Sequence, residues 1–335
     1  MASTPTSKSP GGPQNNLGQV FPRGEIFAVS DDEWLLLAAT YYGLTPIPLD
    51  ENDRLPEDAN VVLFLRHNLV SRDIRKMFRR HRVLLVPIAS FDPGLEVALY
   101  TQKLVLSTDY VAACRRTRYW IESLKNQPGM LRFTGEPAAP ESAEFGELPA
   151  TRLTCGLAEQ LSADAWPRLT IGPGQWVGVG SYCEISITTR PSDELPSFTL
   201  DGTAVASGLL VARDPRFTTE GDARIQAAER LREKISGHGP IVLRLEGGIL
   251  TDASAGGRDF TKEIDEVTNP AHGLRALELG IGTNHDVLAR VNWKINSQLN
   301  EGVGPVHIGF GEGMTGAHMD FIVAAGTHEF MAPAA

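Results

Sequence analysis

The chain reads as an α/β protein: a Rossmann-like α/β domain followed by an α+β domain with a largely antiparallel sheet. Three observations predict this. Continuous apolar runs at 61–65 and 83–88 alternate with helix-like segments at 31–42 and 71–81, which implies a parallel sheet covered on both faces. Beyond residue 150 the texture changes, and 177–189 and 198–212 alternate polar and apolar residues with interspersed glycines, as antiparallel strands do. A length of 335 residues suffices for two separate cores.

Taken in order, residues 1–22 are rich in Ser, Pro, Gly and Asn. They lack the apolar stretch of a signal peptide, so a disordered tail is expected there. The first domain is expected over 23–150 and the second over 151–335. Residues 25–29 form a short strand. The segment 31–42 is a helix with Ser30 or Asp31 as N-cap and Gly43 at its end. Helices follow at 71–81, 95–101 and 110–124. No glycine triplet in the GxGxxG pattern joins a strand to a helix, so no nucleotide is assigned. The stretch 126–149 collects prolines, glutamates and small residues and reads as a linker. In the second half the segment 222–235 is strongly helical, strands fall at 241–245 and 248–250, and a helix lies around 259–266. No internal repeat is evident.

Composition narrows the function. Hydrophobic residues make up 42% and charged residues 21% of the chain, as in ordinary soluble proteins. Acidic residues outnumber basic ones 41 to 31, which argues against a nucleic-acid or anionic-membrane surface. The one basic cluster, 75–82, reads as a solvated helix face. Cys114, Cys155 and Cys183 are widely spaced and odd in number, so a disulfide framework is not expected. No run reaches the ~18 apolar residues of a membrane helix. The expectation is a soluble, cytoplasmic protein.

The chemistry-bearing residues gather late in the sequence. His318 and Asp320 stand two apart in an apolar run, and strand residues i and i+2 share a face. Glu278 and His307 begin two further short, glycine-bounded apolar runs. Two imidazoles with carboxylates and no nearby thiolate suit Zn, Mn, Co or non-haem Fe(II). A cross-strand hydrogen bond for His318 and Asp320, and a satisfied core histidine for His307, are the alternatives. Glu278, set in an apolar run, must find a partner.

The phrase Glu278-Leu279-Gly280-Ile281-Gly282-Thr283-Asn284, followed by Val306-His307-Ile308-Gly309-Phe310-Gly311 and His318-Met319-Asp320-Phe321-Ile322, resembles the thermophilic-type leucyl aminopeptidases (aminopeptidases T and S). These share a superfamily with the 2,5-dihydroxypyridine dioxygenases. The resemblance covers 184–323. It implies an α/β first domain, a metallopeptidase-like second domain and a homodimer. It also implies divalent ions held by Glu184, Glu278, His307, His318 and Asp320, with Glu184 or Glu278 as general base. Glu184 sits in Tyr182-Cys183-Glu184, where the family has Pro-x-Gly-Glu. Two further departures concern the reaction. Only 309–317 separates His307 from His318, and Met314 stands where the family carries its catalytic tyrosine; no tyrosine follows Tyr182. Loss of a transition-state hydroxyl costs about 2.7–4 kcal/mol, by analogy with an oxyanion-hole donor. The segment 213–236 reads as a helical insertion.

Three functions are open at this stage. One is a metallopeptidase releasing N-terminal residues. Another is an iron(II) oxidase or oxygenase using His307, His318 and Asp320. The third is a non-catalytic peptide-binding protein, since the chain also resembles in overall make-up the peptide-binding proteins of the crocagin pathway. The expected function is a metal-dependent enzyme, with Fe(II) or Zn favoured and Mn or Co also suitable, that modifies a peptide oxidatively in natural-product biosynthesis.

Overall fold

Alternate residues of the first strands divide between two cores, which is why these strands are apolar throughout. In the computed structural model the described residues are 14–21, 24–126, 129–136, 148–159, 161–189, 196–214, 219–268 and 274–331. Strands β1 (Ile26–Ser30), β2 (Thr45–Pro48), β3 (Asn60–Phe64) and β4 (Arg82–Val86) join a later strand, β8 (Trp176–Gly178), in a parallel sheet of order β2-β1-β3-β4-β8. Ala28, Val62, Phe64, Leu84 and Val86 enter one core. Val29, Val61, Leu63, Val83 and Leu85 enter the other. Helices α1 (Glu33–Tyr41), α3 (Leu95–Ser107) and α4 (Tyr110–Asn126) follow in the chain around α2 (Arg72–Met77). Leu35 of α1 and Ala98 of α3 pack into the first core, and Ile74 of α2 into the second.

Local chemistry explains several boundaries. Asp32 caps α1, its side chain accepting from Leu35 N at 3.0 Å. That carboxylate fills the helix N-terminus where dinucleotide-binding folds seat a phosphate. Pro46 and Pro48 lie on edge strand β2 opposite Ala28 and Ser30, and they deny a further strand two N–H donors.

The remaining strands make two antiparallel sheets. One has the order β14-β13-β12-β10-β6-β5-β18, with β5 (Met130–Gly135), β6 (Thr151–Leu157), β10 (Phe198–Ala206), β12 (Ile241–Glu246), β13 (Ile249–Ala255), β14 (Arg258–Asp259) and β18 (Thr327–Met331). The other has the order β11-β17-β16-β15-β9-β7, with β7 (Ala163–Asp164), β9 (Glu184–Thr188), β11 (Gly208–Ala212), β15 (Ala276–Gly282), β16 (Val306–Phe310) and β17 (His318–Val323). Their inner faces share one core, to which Leu200 and Leu243 contribute from the first sheet and Leu279, Ile308 and Phe321 from the second. Helices α5 (Val179–Cys183), α6 (Thr219–Ser236) and α7 (Thr261–Thr268) complete the fold. It is thus a mixed α/β protein with one parallel and two antiparallel sheets. Among the described residues no helix is long and apolar enough to cross a membrane.

Three expectations need correction. Residues 14–21 are not a free tail: Leu17, Val20 and Phe21 are buried in the parallel-sheet core. Asn16 Nδ2 donates to Thr108 O at 3.0 Å, and Ile171 N donates to Val20 O at 2.9 Å. The polar composition concealed three apolar anchors. Residues 1–13 lie outside the described residues. Secondly, residue 150 does not divide the sheets, because β5 precedes it in an antiparallel sheet and β8 follows it in the parallel one. Thirdly, part of the expected linker is strand β5; its 137–147 portion lies outside the described residues. Phe21→Ala is accordingly expected to cost about 3–5 kcal/mol in denaturant unfolding; a change below 1 kcal/mol, within the usual range for an ordinary surface site, would show that the segment is not anchored.

Candidate metal centre

Strand alternation sorts the second antiparallel sheet into an apolar face and a chemical face. Leu279, Ile281, Ile308, Phe310, Met319 and Phe321 point into the sandwich core. Their neighbours Glu278, Gly280, His307, Gly309, His318 and Asp320 therefore point the other way. Register brings them side by side: Glu278 pairs with Gly309 and Gly309 with Asp320, while Gly280 pairs with His307. Glu184 joins from β9, opposite Gly282. All five residues expected as ligands from the resemblance share this face.

Glycines make the floor on which these side chains lie. A Cβ on Gly280 would fall 1.8 Å from His307 Cε1, and one on Gly309 would fall 2.7 Å from His318 Cε1 and 2.8 Å from Asp320 Oδ1. All three distances are far inside van der Waals contact, so only glycine leaves room for the rings.

The polar atoms converge. His318 Nε2 lies 2.9 Å from Asp320 Oδ1 and 3.2 Å from Glu278 Oε2. His307 Nε2 lies 3.7 Å from Glu278 Oε1 and 4.0 Å from Asp320 Oδ1, and its Nδ1 is 3.7 Å from Glu184 Oε2. Ligand atoms of Glu278, His318 and Asp320 lie within 4.8 Å of one another. His318 Nδ1 donates to Gly311 O at 2.7 Å, which fixes the ring and turns Nε2 toward the carboxylates. Glu184, His307 and Asp320 are buried, whereas the side chains of Glu278 and His318 remain 19% and 18% exposed. Solvent reaches the cluster from that side.

One member of the cluster had no strand pattern to reveal it. Glu301 is buried on a 3-10 turn, Gln298–Val303, that covers the chemical face. Its flanking Leu299 and Val303 insert into the parallel-sheet core. The only hint in the sequence is a carboxylate between two apolar anchors.

Electrostatics follow from crowding. Burial pushes the Glu184 carboxyl up to about 8, with Glu278 and Asp320 adding to the effect against the pull of His307. Glu301 is likewise raised well above the carboxylate range by burial and by Glu184, Asp320 and Glu278. Burial also acts on Glu278, but the two imidazoles outweigh it and hold this carboxyl well below its usual value. Both histidines resist burial because carboxylates face them: His307 rises to about 9 and His318 well above the histidine range. Four carboxyl groups thus face two imidazoles, and Glu184 Oε2 and His307 Nδ1 are buried without a hydrogen-bond partner.

This arrangement fits a divalent cation. Tetrahedral ligands at about 2.0–2.1 Å from an ion stand about 3.4 Å apart, close to the 2.9–4.0 Å separations here. The mixed oxygen and imidazole set suits Zn, Mn or Fe(II). Glu184 Oε2 and His307 Nδ1 face each other at 3.7 Å with no hydrogen bond to either atom, and a cation between them would satisfy both. Tyr182, by contrast, is buried and donates its hydroxyl to Leu169 O at 3.0 Å.

Residues 23–331 match the model of the family described as Crocagin biosynthetic protein CgnE/B. No curated protein matches the chain.

Proposed function

This chain belongs to the crocagin biosynthetic protein family CgnE/B, and from that premise and the buried cluster we propose a divalent-metal-dependent enzyme that modifies a peptide. The family places the chain in natural-product biosynthesis, and a role on a peptide is consistent with that. The observation that carries the metal reading is Glu184 Oε2 facing His307 Nδ1 at 3.7 Å, with no hydrogen bond to either atom, inside a six-residue cluster. Glu278, His307, His318 and Asp320 would hold the ion, with Glu184 and Glu301 beside it. A bound cation would supply Lewis acidity and, for a redox-active metal, a place for dioxygen. The chain's own residues fix His318 through Gly311 O, exclude water from the Glu184 side, and leave the Glu278 and His318 side open to substrate.

Oxidation of the peptide is the preferred reaction, with dioxygen as electron acceptor. It is supported by the 2-His-1-carboxylate set of His307, His318 and Asp320, and by the commitment of Tyr182, the last tyrosine, to Leu169 away from the cluster. Hydrolysis is the second reading, favoured by Glu184, Glu278 and Glu301, which make the pocket rich enough in carboxylates for two cations. Incubating metal-loaded protein with the crocagin precursor peptide and weighing the product separates them. Oxygen uptake with loss of two hydrogens or gain of oxygen supports the first reading. Chain cleavage with a new amine supports the second, and an unaltered peptide with every metal removes both.

Proton competition gives a further prediction. His307 must lose its proton near pH 9 and Glu184 near pH 8 to meet a cation, so ion binding releases protons. Affinity is expected to tighten steadily from pH 6 to pH 9, as measured by competition against a fluorescent chelator. A pH-independent affinity would contradict the assignment.

A further inference from the structure

The sheet that carries the cluster ends in a strand whose outer side pairs with no other strand among the described residues. Among the described residues strand β7 is the last strand of its sheet and pairs only with β9, Ala163 opposite Ile187 and Asp164 opposite Ser186. Thr188 N donates to Ser162 O at 3.0 Å, so Ser162 faces β9 across a hydrogen-bonded pair. In an antiparallel ladder such pairs alternate. The N–H and C=O of Ala163 must therefore point away from β9. Ala163 is exposed.

That edge opens on a cavity of about 580 Å³ between β7 and the last turns of α4. Its walls are apolar: Ile121 and Leu124 come from the helix, and Leu161 and Ala165 flank the strand. Lys125 and Glu159 stand on the rim with opposite charges, so neither an anion nor a cation is favoured by charge. A paired backbone donor and acceptor beside an apolar trough between strand and helix fits one ligand class, an extended peptide. Such a segment adds a strand to the sheet and buries alternate side chains in the trough.

We propose that the free edge of β7 docks an extended segment of the peptide substrate as a seventh strand of the sheet that bears the metal cluster. This rests on the reading that a peptide is the substrate, but not on the metal. Strands are spaced about 4.8 Å apart, and β9 and β7 separate β15 from the edge. A docked strand would thus lie about 14 Å from Glu278, a span of about four to five extended residues at about 3.3 Å each. The anchored segment would hold the neighbouring part of the same peptide within reach of the cluster.

The test is binding of the fluorescently labelled crocagin precursor peptide to the full chain. Ala163→Pro removes the outward N–H while costing no ladder bond, because that donor faces solvent. It is expected to weaken binding at least tenfold without lowering the melting temperature, and Ala163→Ser, which keeps the N–H, to bind as wild type. Saturating peptide is expected to slow hydrogen exchange at Ala163 at least tenfold. Binding measured with and without a metal chelator is expected to agree within about twofold, which separates this docking site from the metal centre. Undiminished binding by Ala163→Pro, unchanged exchange at Ala163, or no binding by the wild type would overturn the proposal. A protein that binds no metal yet loses peptide on Ala163→Pro would sink the metal reading alone.

Discussion

Asp320→Asn is expected to strip the protein of tightly held divalent metal while leaving it folded. Asp320 is buried and touches both imidazoles, 2.9 Å from His318 Nε2 and 4.0 Å from His307 Nε2. Asparagine matches its shape but carries no charge, so packing survives and one ligand is lost. Mutating groups that merely orient a ligand costs about 10–100-fold in metal affinity, so loss of a ligand itself is expected to cost at least about 100-fold. Folding should survive, because Asp320 also raises Glu184 and Glu301 by repulsion, and relief of that repulsion offsets part of the attraction to His307 and His318 that is lost. His318→Ala should reproduce the metal loss. The checks are competition with a chelating dye for affinity and denaturant unfolding in chelator for stability. Wild-type affinity in both variants would refute the ligand assignment.

Gly280→Ala is expected to be strongly destabilising. The new Cβ would fall 1.8–2.3 Å from three atoms of the His307 ring. That ring is buried, with β15 and β17 on either side of its strand, so neither it nor the backbone has room to retreat. Overpacking of this kind costs about 1–3 kcal/mol or more, and the upper end is expected, together with loss of metal binding as the imidazole is displaced. Gly18→Ala is the control, since nothing lies within 4 Å of its Cβ position. Equal stability of the two variants in urea would contradict the glycine floor.

Much of the centre was legible because strands advertise their faces. The two-residue spacing of His318 and Asp320 and the alternation of Glu278 with Gly280 encode a shared surface without any knowledge of partners. Glu301 escaped because a 3-10 turn has no such period, and its position depends on Leu299 and Val303 finding the distant parallel sheet. The continuous apolar runs at 61–65 and 83–88 announced a doubly covered sheet, and the sheet is there. That Trp176–Gly178 would complete it was not legible, for three residues carry no usable periodicity and their pairing with β4 is set by tertiary contact. Leu17, Val20 and Phe21 were hidden in the same way by their polar surroundings. The glycines at 280 and 309 were visible as letters, but their meaning came only from the rings lying over them.

The central claim is tested most directly by growing crystals with Mn(II) or Zn(II) and locating the ion by its anomalous scattering. The account predicts a peak about 2.0–2.2 Å from His318 Nε2 and from carboxylate oxygens of Glu278 and Asp320, with any second peak between His307 and Glu184. A pocket that stays ion-paired as described, with the metal found only on the protein surface, would contradict it.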